Sequence, residues 1–196
     1  MEVVRGVSDQ NLQMAMHKAL CEINEALGLL WLVGCSTGYR VSDLLSLRVY
    51  QACTSPLFVL EAKTGKLRTM MLPECVQRAI CHHIAHQNLT DSDAFLFQGR
   101  TKGKALSRQY AHRVFKEVGA GLGLADIGTH SMRKTYAYNV LLATRSFEQV
   151  QQTLNHAYIS TTFLYLIDGL TALLPKSPQF GIPPASIVAS VQSEAS

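Results

Sequence analysis

The stretch Leu154-Asn155-His156-Ala157-Tyr158-Ile159-Ser160-Thr161-Thr162-Phe163-Leu164-Tyr165 sets a histidine and a tyrosine nine positions apart. Phe147 to Leu154 and Ser160 to Ile167 both read as helices, so His156 falls at a junction and Tyr165 lies on the second helix. Taken singly, neither residue decides anything. A lone histidine is most often partly buried with an ordinary partner. A lone tyrosine on an amphipathic helix is most often a core aromatic. Tyr158 lies only two positions past His156, too near to share the role of Tyr165.

Three further blocks come earlier in the chain. His130-Ser131-Met132-Arg133 precedes the stretch, at the start of a helix expected from Thr129 to Ala143. His130 lies three positions before Arg133, a spacing that would put both on one helix face. Further back, Lys63-Thr64-Gly65-Lys66 joins two runs that alternate like strands, and Gly65 suits a hairpin there. Earlier still comes Thr37-Gly38-Tyr39-Arg40-Val41-Ser42-Asp43-Leu44-Leu45-Ser46-Leu47. Gly38 reads there as a helix stop and Ser42 as the opening of a short amphipathic helix.

In this order, the blocks resemble the catalytic domain of the tyrosine recombinases, a family that includes phage integrases and fimbrial-switch invertases. That family carries a Thr-Gly-x-Arg block, a hairpin lysine, a His-x-x-Arg block, a Leu-Gly-His block and a tyrosine about nine residues later. Each block alone is weak, but five in sequence are specific. The resemblance runs from Ser8 to Leu170, nearly the whole chain.

The resemblance implies a reaction. Attack on a phosphodiester gathers negative charge on the non-bridging oxygens, and Arg40 and Arg133 can each offer paired donors to them. Preorganised donors of this kind each contribute on the order of 10²–10³ in rate. No metal or other cofactor is then expected. Tyr165 would be the nucleophile, with a phenol whose ordinary pKa near ~10 calls for help in losing its proton. His130 would be the base or a hydrogen-bond donor, and His156 would donate to a phosphate oxygen. Lys63 would protonate the departing 5′ hydroxyl, with Lys66 as a rival for that task. Asp43 would orient the site without touching the substrate. The implied product is a 3′-phosphotyrosine that another strand's 5′ hydroxyl can resolve. Lys66, Arg68, Lys102, Lys104, Arg108 and Arg113 are expected to contact DNA phosphates.

Composition agrees without deciding. The 196 residues are 47% apolar and 16% charged, which excludes a disordered tail and suits one domain with a core. A net charge of +4 is compatible with nucleic acid. The five cysteines are scattered, with no Cys-x-x-Cys pair, so neither a disulfide framework nor a zinc ribbon is indicated. His82 and His86 lie one helical turn apart, but no further ligand stands at a recognised spacing. No apolar run is long enough to span a bilayer and no signal peptide opens the chain, so a cytoplasmic protein is expected.

The expected architecture is α+β and mainly helical, with one small three-stranded antiparallel sheet. Helices are expected from the Ser8 or Asp9 cap to Leu20, from Ile23 to Cys35, from Pro73 to Asn88 and from Ser107 to Val118, besides those already named. The strands are expected at Arg48 to Cys53, Leu57 to Ala62 and Leu67 to Leu72, and a polar loop at Asp91 to Lys104. Residues 1–174 are expected to form the catalytic domain. Residues 175–196 are expected to form a tail docking on a neighbouring subunit, through Ile187 to Val191.

Double-stranded DNA is the implied partner, with a tetramer on DNA, a monomer when free, and accessory DNA-bending proteins. Many relatives carry a separate helical domain that closes a clamp on DNA, whereas little chain precedes the buried helix here. Two alternatives stand: a minimal recombinase of the fimbrial-switch kind, or a partner that supplies the missing grip. Two rival functions are a non-catalytic DNA-binding accessory or regulatory factor and a type IB topoisomerase-like enzyme. The intact set of six residues argues against the first, and the tail with the His156 spacing argues against the second.

Overall fold

The computed structural model describes residues 4–101 and 103–173, the last six of these as backbone only. Within them the fold is mainly helical. Helix α1 (Gln10–Ile23) starts at Asp9, whose carboxylate accepts from the Asn11 and Leu12 amides. Helix α2 (Glu25–Thr37) starts at Asn24 and stops at Gly38, which takes the left-handed conformation at φ 63°. It is buried nearly all round, as its apolar run implies. Close approach is built in: a Cβ on Gly28 would collide with Cys21 Sγ, and one on Gly34 would collide with Met132 Sδ.

Short α3 (Val41–Leu45) follows, and then α4 (Val49–Ala52) stands where a third strand is expected. Val49 and Ala52 are the buried residues of that turn, a spacing of three where a strand would need two. The Arg48 amide donates to the Gln51 side chain at 3.0 Å, closing the turn locally. Of the expected strand, only an isolated bridge between Arg48 and Phe95 remains. The sheet therefore has two strands, β1 (Leu57–Leu60) and β2 (Leu67–Met70), antiparallel, with Leu57 opposite Met70 and Leu60 opposite Leu67. Gly65 in the joining turn takes φ 65°.

Helix α5 (Glu74–His86) leads to the segment expected as a polar loop, which is pinned at Leu96 and Phe97, both buried. The Leu96 amide donates to Leu47 O and the Leu106 amide to Phe97 O. Helix α6 (Arg108–Gly121) begins at the Ser107 cap and runs through Gly119, which presses on Ile127. Helices α7 (Ser131–Thr144), α8 (Phe147–Leu154) and α9 (Ile159–Leu173) complete the described chain.

The main core gathers α1, α2, α3, α5 and α6 around Trp31, whose ring meets Phe115 edge-on at 5.6 Å. A second, smaller cluster of Tyr136, Ala137, Tyr138, Leu141, Val150, Leu154 and Leu166 holds α7, α8 and α9 together. The blocks singled out in the sequence lie where these two bodies meet. Lys102 and residues 175–196, with the tail contact expected there, lie outside the described residues.

Candidate active site

Arg40 sits at the start of α3, two residues past the Gly38 turn. Gly38 is required twice over. Its φ is positive, and a Cβ there would collide with the Tyr136 ring. Its carbonyl accepts from Arg133 Nη1 at 2.5 Å, while Arg133 Nη2 donates to Leu154 O at 2.6 Å. One buried guanidinium thus ties the end of α2 to the end of α8. Burial lowers the Arg133 pKa to about 10, helped by the positive charges of Arg40 and Arg68 and opposed by Tyr165. It remains charged at neutral pH, next to a second arginine.

His156 follows Asn155, which caps α8 in the left-handed conformation at φ 54°. His156 Nδ1 lies 3.0 Å from the Thr162 hydroxyl, and its ring meets the Tyr165 ring edge-on at 5.4 Å. Burial, and then the charges of Arg133 and Arg40, pull His156 down to about 4. The Tyr165 hydroxyl is buried and makes no well-formed hydrogen bond among the described residues. Burial pushes the phenol up to about 12, against the pull of Arg133 and Arg40. Lys134 Nζ stands 5.3 Å from the centre of its ring.

His130 continues the helical path into α7, with φ −76° and its carbonyl accepting from the Lys134 amide at 3.1 Å. It is the cap residue before α7 and is exposed. Its pKa is lowered by desolvation and then by the charges of Arg108, Arg133, His112 and Arg40, which places it in the same cationic cluster. Arg40, His130, Arg133, His156 and Tyr165 therefore converge, although they come from four separate places in the chain.

Lys63 lies on the turn between the strands and is exposed, as is Lys66. The backbone beside Lys63 is held from below, since the Ala62 amide donates to Asp43 Oδ1 at 3.1 Å. Asp43 is buried, so it joins α3 to the hairpin from inside the protein.

Sequence reasoning missed Glu61. Its carboxylate is fully buried, 2.9 Å from Arg40 Nη1 and 3.2 Å from Arg68 Nη1. Burial alone would raise its pKa, but the Thr64 hydroxyl and the two guanidiniums outweigh it and hold Glu61 at about 2. The signal was a carboxylate two residues before the hairpin lysine, which reads as an ordinary surface charge.

Arg68, expected among the DNA contacts, turns inward instead. It donates to Glu61, to Thr37 O and to Thr153 O, the last at 2.5 Å, and its guanidinium stacks 4.5 Å from the Tyr39 ring centre. Lys104, Arg108 and Arg113 are exposed. Lys104 and Arg113 line an open groove with Arg100 and Tyr110. His82, His83 and His86 gather on Glu25, with the nearest contact 2.6 Å, from His86. Among the described residues, no group of three or more such side chains has the arrangement to hold a metal ion. No helix among them is long and apolar enough to cross a membrane.

Comparison with known proteins points the same way. The chain is 28% identical over 167 residues to the probable integrase/recombinase YoeC of Bacillus subtilis, covering 85% of this chain and 91% of that one. It is 32% identical over 148 residues to tyrosine recombinase XerA of Pyrococcus furiosus, covering 74% of this chain and 50% of that one. It is 30% identical over 176 residues to tyrosine recombinase XerD of Brucella suis, covering 81% of this chain and 57% of that one. It thus spans nearly all of YoeC but only half of XerA and 57% of XerD.

The fold matches a crystal structure of XerA recombinase with a TM-score of 0.69 at 20% identity, covering 89% of this chain and 67% of that one. It matches a lambda integrase tetramer bound to a Holliday junction with a TM-score of 0.62 at 20% identity, covering 84% of this chain and 49% of that one. The model of the phage integrase family matches residues 9–168, a span that takes in the whole site from Arg40 to Tyr165. The chain belongs to the phage integrase family and folds the catalytic domain of a tyrosine recombinase.

Proposed function

We propose that this protein is a site-specific DNA recombinase in which Tyr165 cuts and rejoins one strand through a 3′-phosphotyrosine. The Tyr165 oxygen attacks the scissile phosphorus, forming the P–O bond to tyrosine as the bond to the 5′ oxygen breaks. His130 takes the phenol proton, and Lys63 gives a proton to the leaving 5′ oxygen. Arg40 and Arg133 hold the non-bridging oxygens with charge-assisted donors, and His156 adds a further hydrogen bond. The phosphodiester energy is retained in the tyrosine ester, so a second 5′ hydroxyl can reverse the step on a new partner strand.

One observation carries this reading: the Tyr165 phenol lies against His156 and within the field of both guanidiniums. Burial holds the phenol up at about 12, so it needs a base to take its proton as it attacks. Strand exchange needs paired sites, and an assembly of four protomers on two duplexes meets that need. The lambda integrase tetramer on a Holliday junction, which shares this fold, supports that arrangement.

The test begins with selection of a bound sequence from a random duplex library. The selected duplex, nicked beside the cleavage position, is then incubated with the protein and run on a denaturing gel. The expected result is a covalent protein–DNA adduct, absent with Tyr165→Phe. An adduct that survives Tyr165→Phe would overturn the assignment of the nucleophile.

A further inference from the structure

We infer that Glu61 is a positioning residue of the reaction: it clamps Arg40 and closes the turn that carries Lys63, and so fixes these two groups relative to one another. The inference rests on the roles proposed above for Arg40 and Lys63. Both the side chain and the main chain of Glu61 take part. Oε1 stands 2.9 Å from Arg40 Nη1 and 3.2 Å from Arg68 Nη1. Oε2 accepts from the Thr64 hydroxyl at 2.7 Å. The Glu61 amide donates to Lys66 O at 3.0 Å, and its carbonyl accepts from the Gly65 amide at 2.8 Å. Every residue from Thr64 to Lys66 is therefore tied back to Glu61, leaving Lys63 on a closed turn.

The clamp has a fixed base. Arg68, the second cation on the carboxylate, donates to Thr37 O at the end of α2 and to Thr153 O near the end of α8. Those are the two segments that lead into Arg40 and His156. Arg40 itself keeps about a fifth of its side chain open, at 21%, while Glu61 is fully buried. A guanidinium gripped from behind and open in front is held ready for a phosphate.

A buried ion pair is a weak source of net stability, because desolvation offsets much of the attraction. Its worth here lies in removing freedom from Arg40 and from the Lys63 turn. Misplacing a reacting group by about 1 Å is enough to cost on the order of 100-fold in rate.

The experiment uses the full chain and the nicked selected duplex at saturating protein, reading the first-order rate constant of adduct formation separately from DNA affinity. Glu61→Gln should slow that rate constant about 10- to 100-fold. DNA affinity should stay within about 2-fold, since the exposed phosphate contacts are untouched. Glu61→Asp, which restores the charge, should recover part of the lost rate. Thr64→Val, on the exposed turn, should slow cleavage a few-fold with melting unchanged, and it decides the matter if Glu61→Gln does not fold. A parent-level rate constant in folded Glu61→Gln, or in Thr64→Val should the former fail to fold, overturns the assignment. A cut that persists in Tyr165→Phe instead counts against the cleavage reading itself, so the two failures are distinct.

Discussion

Arg133 has no freedom left to give. Each terminal nitrogen gives one N–H to the Gly38 or Leu154 carbonyl, which leaves its second N–H and the Nε–H for a phosphate, so its position follows from two backbone turns and not from its own rotamer. His156 shows the cost of burial, and then of such a neighbour. In the folded chain its pKa lies at about 4, against 6.5 for an ordinary histidine. As pH falls below about 6.5, the unfolded chain takes up a proton that the folded chain refuses until about 4. Stability contributed by neutral His156 is thus fully present above about 6.5 and is lost on the way down to about 4. Melting curves of the DNA-free protein should shift to lower temperature between pH 7 and pH 5, and His156→Asn should flatten part of that shift. An identical pH dependence in parent and variant would contradict it.

At the scale of elements, the Asn155 cap sets where His156 points. Asn tolerates the left-handed conformation, and Gly tolerates it better. Asn155→Gly should leave melting and cleavage near parent level. Asn155→Val should cost about 1–2 kcal/mol in denaturant unfolding and slow adduct formation by moving His156. Most helices were legible in the chain because their apolar period and caps agree, and α8 matches its expected limits of Phe147 and Leu154. Where local bonding competed with pattern, the reading failed. Arg48 to Cys53 has strand-like composition, yet the Arg48–Gln51 bond and the Val49 and Ala52 spacing wind it into α4. The converging residues Arg40, His130, Arg133, His156 and Tyr165 were legible because spacing between blocks survives in one dimension. Glu61 and Arg68 were not, because a buried ion pair becomes visible only when the hairpin folds over the ends of α2 and α8.

For the whole molecule, what matters is grip. The chain spans half of XerA and 57% of XerD, and on the recombinase reading the hold on DNA would fall to exposed cations such as Lys104, Arg108 and Arg113. Removing one cation that touches a phosphate should lessen the slope of log affinity against log salt by about 1. Arg108→Ala should do this, measured by titrating the selected duplex at several salt concentrations. An unchanged slope would remove Arg108 from the interface. Arg68→Ala, by contrast, should lower the melting temperature, because its guanidinium faces the protein interior.

The packing of Tyr165 on His156 of its own chain has a consequence for how protomers cooperate. On the recombinase reading, each copy would carry its own set of tools, with none on loan from next door. Mixing Arg133→Ala protein with Tyr165→Phe protein should therefore produce no complementation: one lacks the grip, the other the blade, and neither can lend what the other misses. Restored cutting in the mixture would mean that the blade is passed between neighbours.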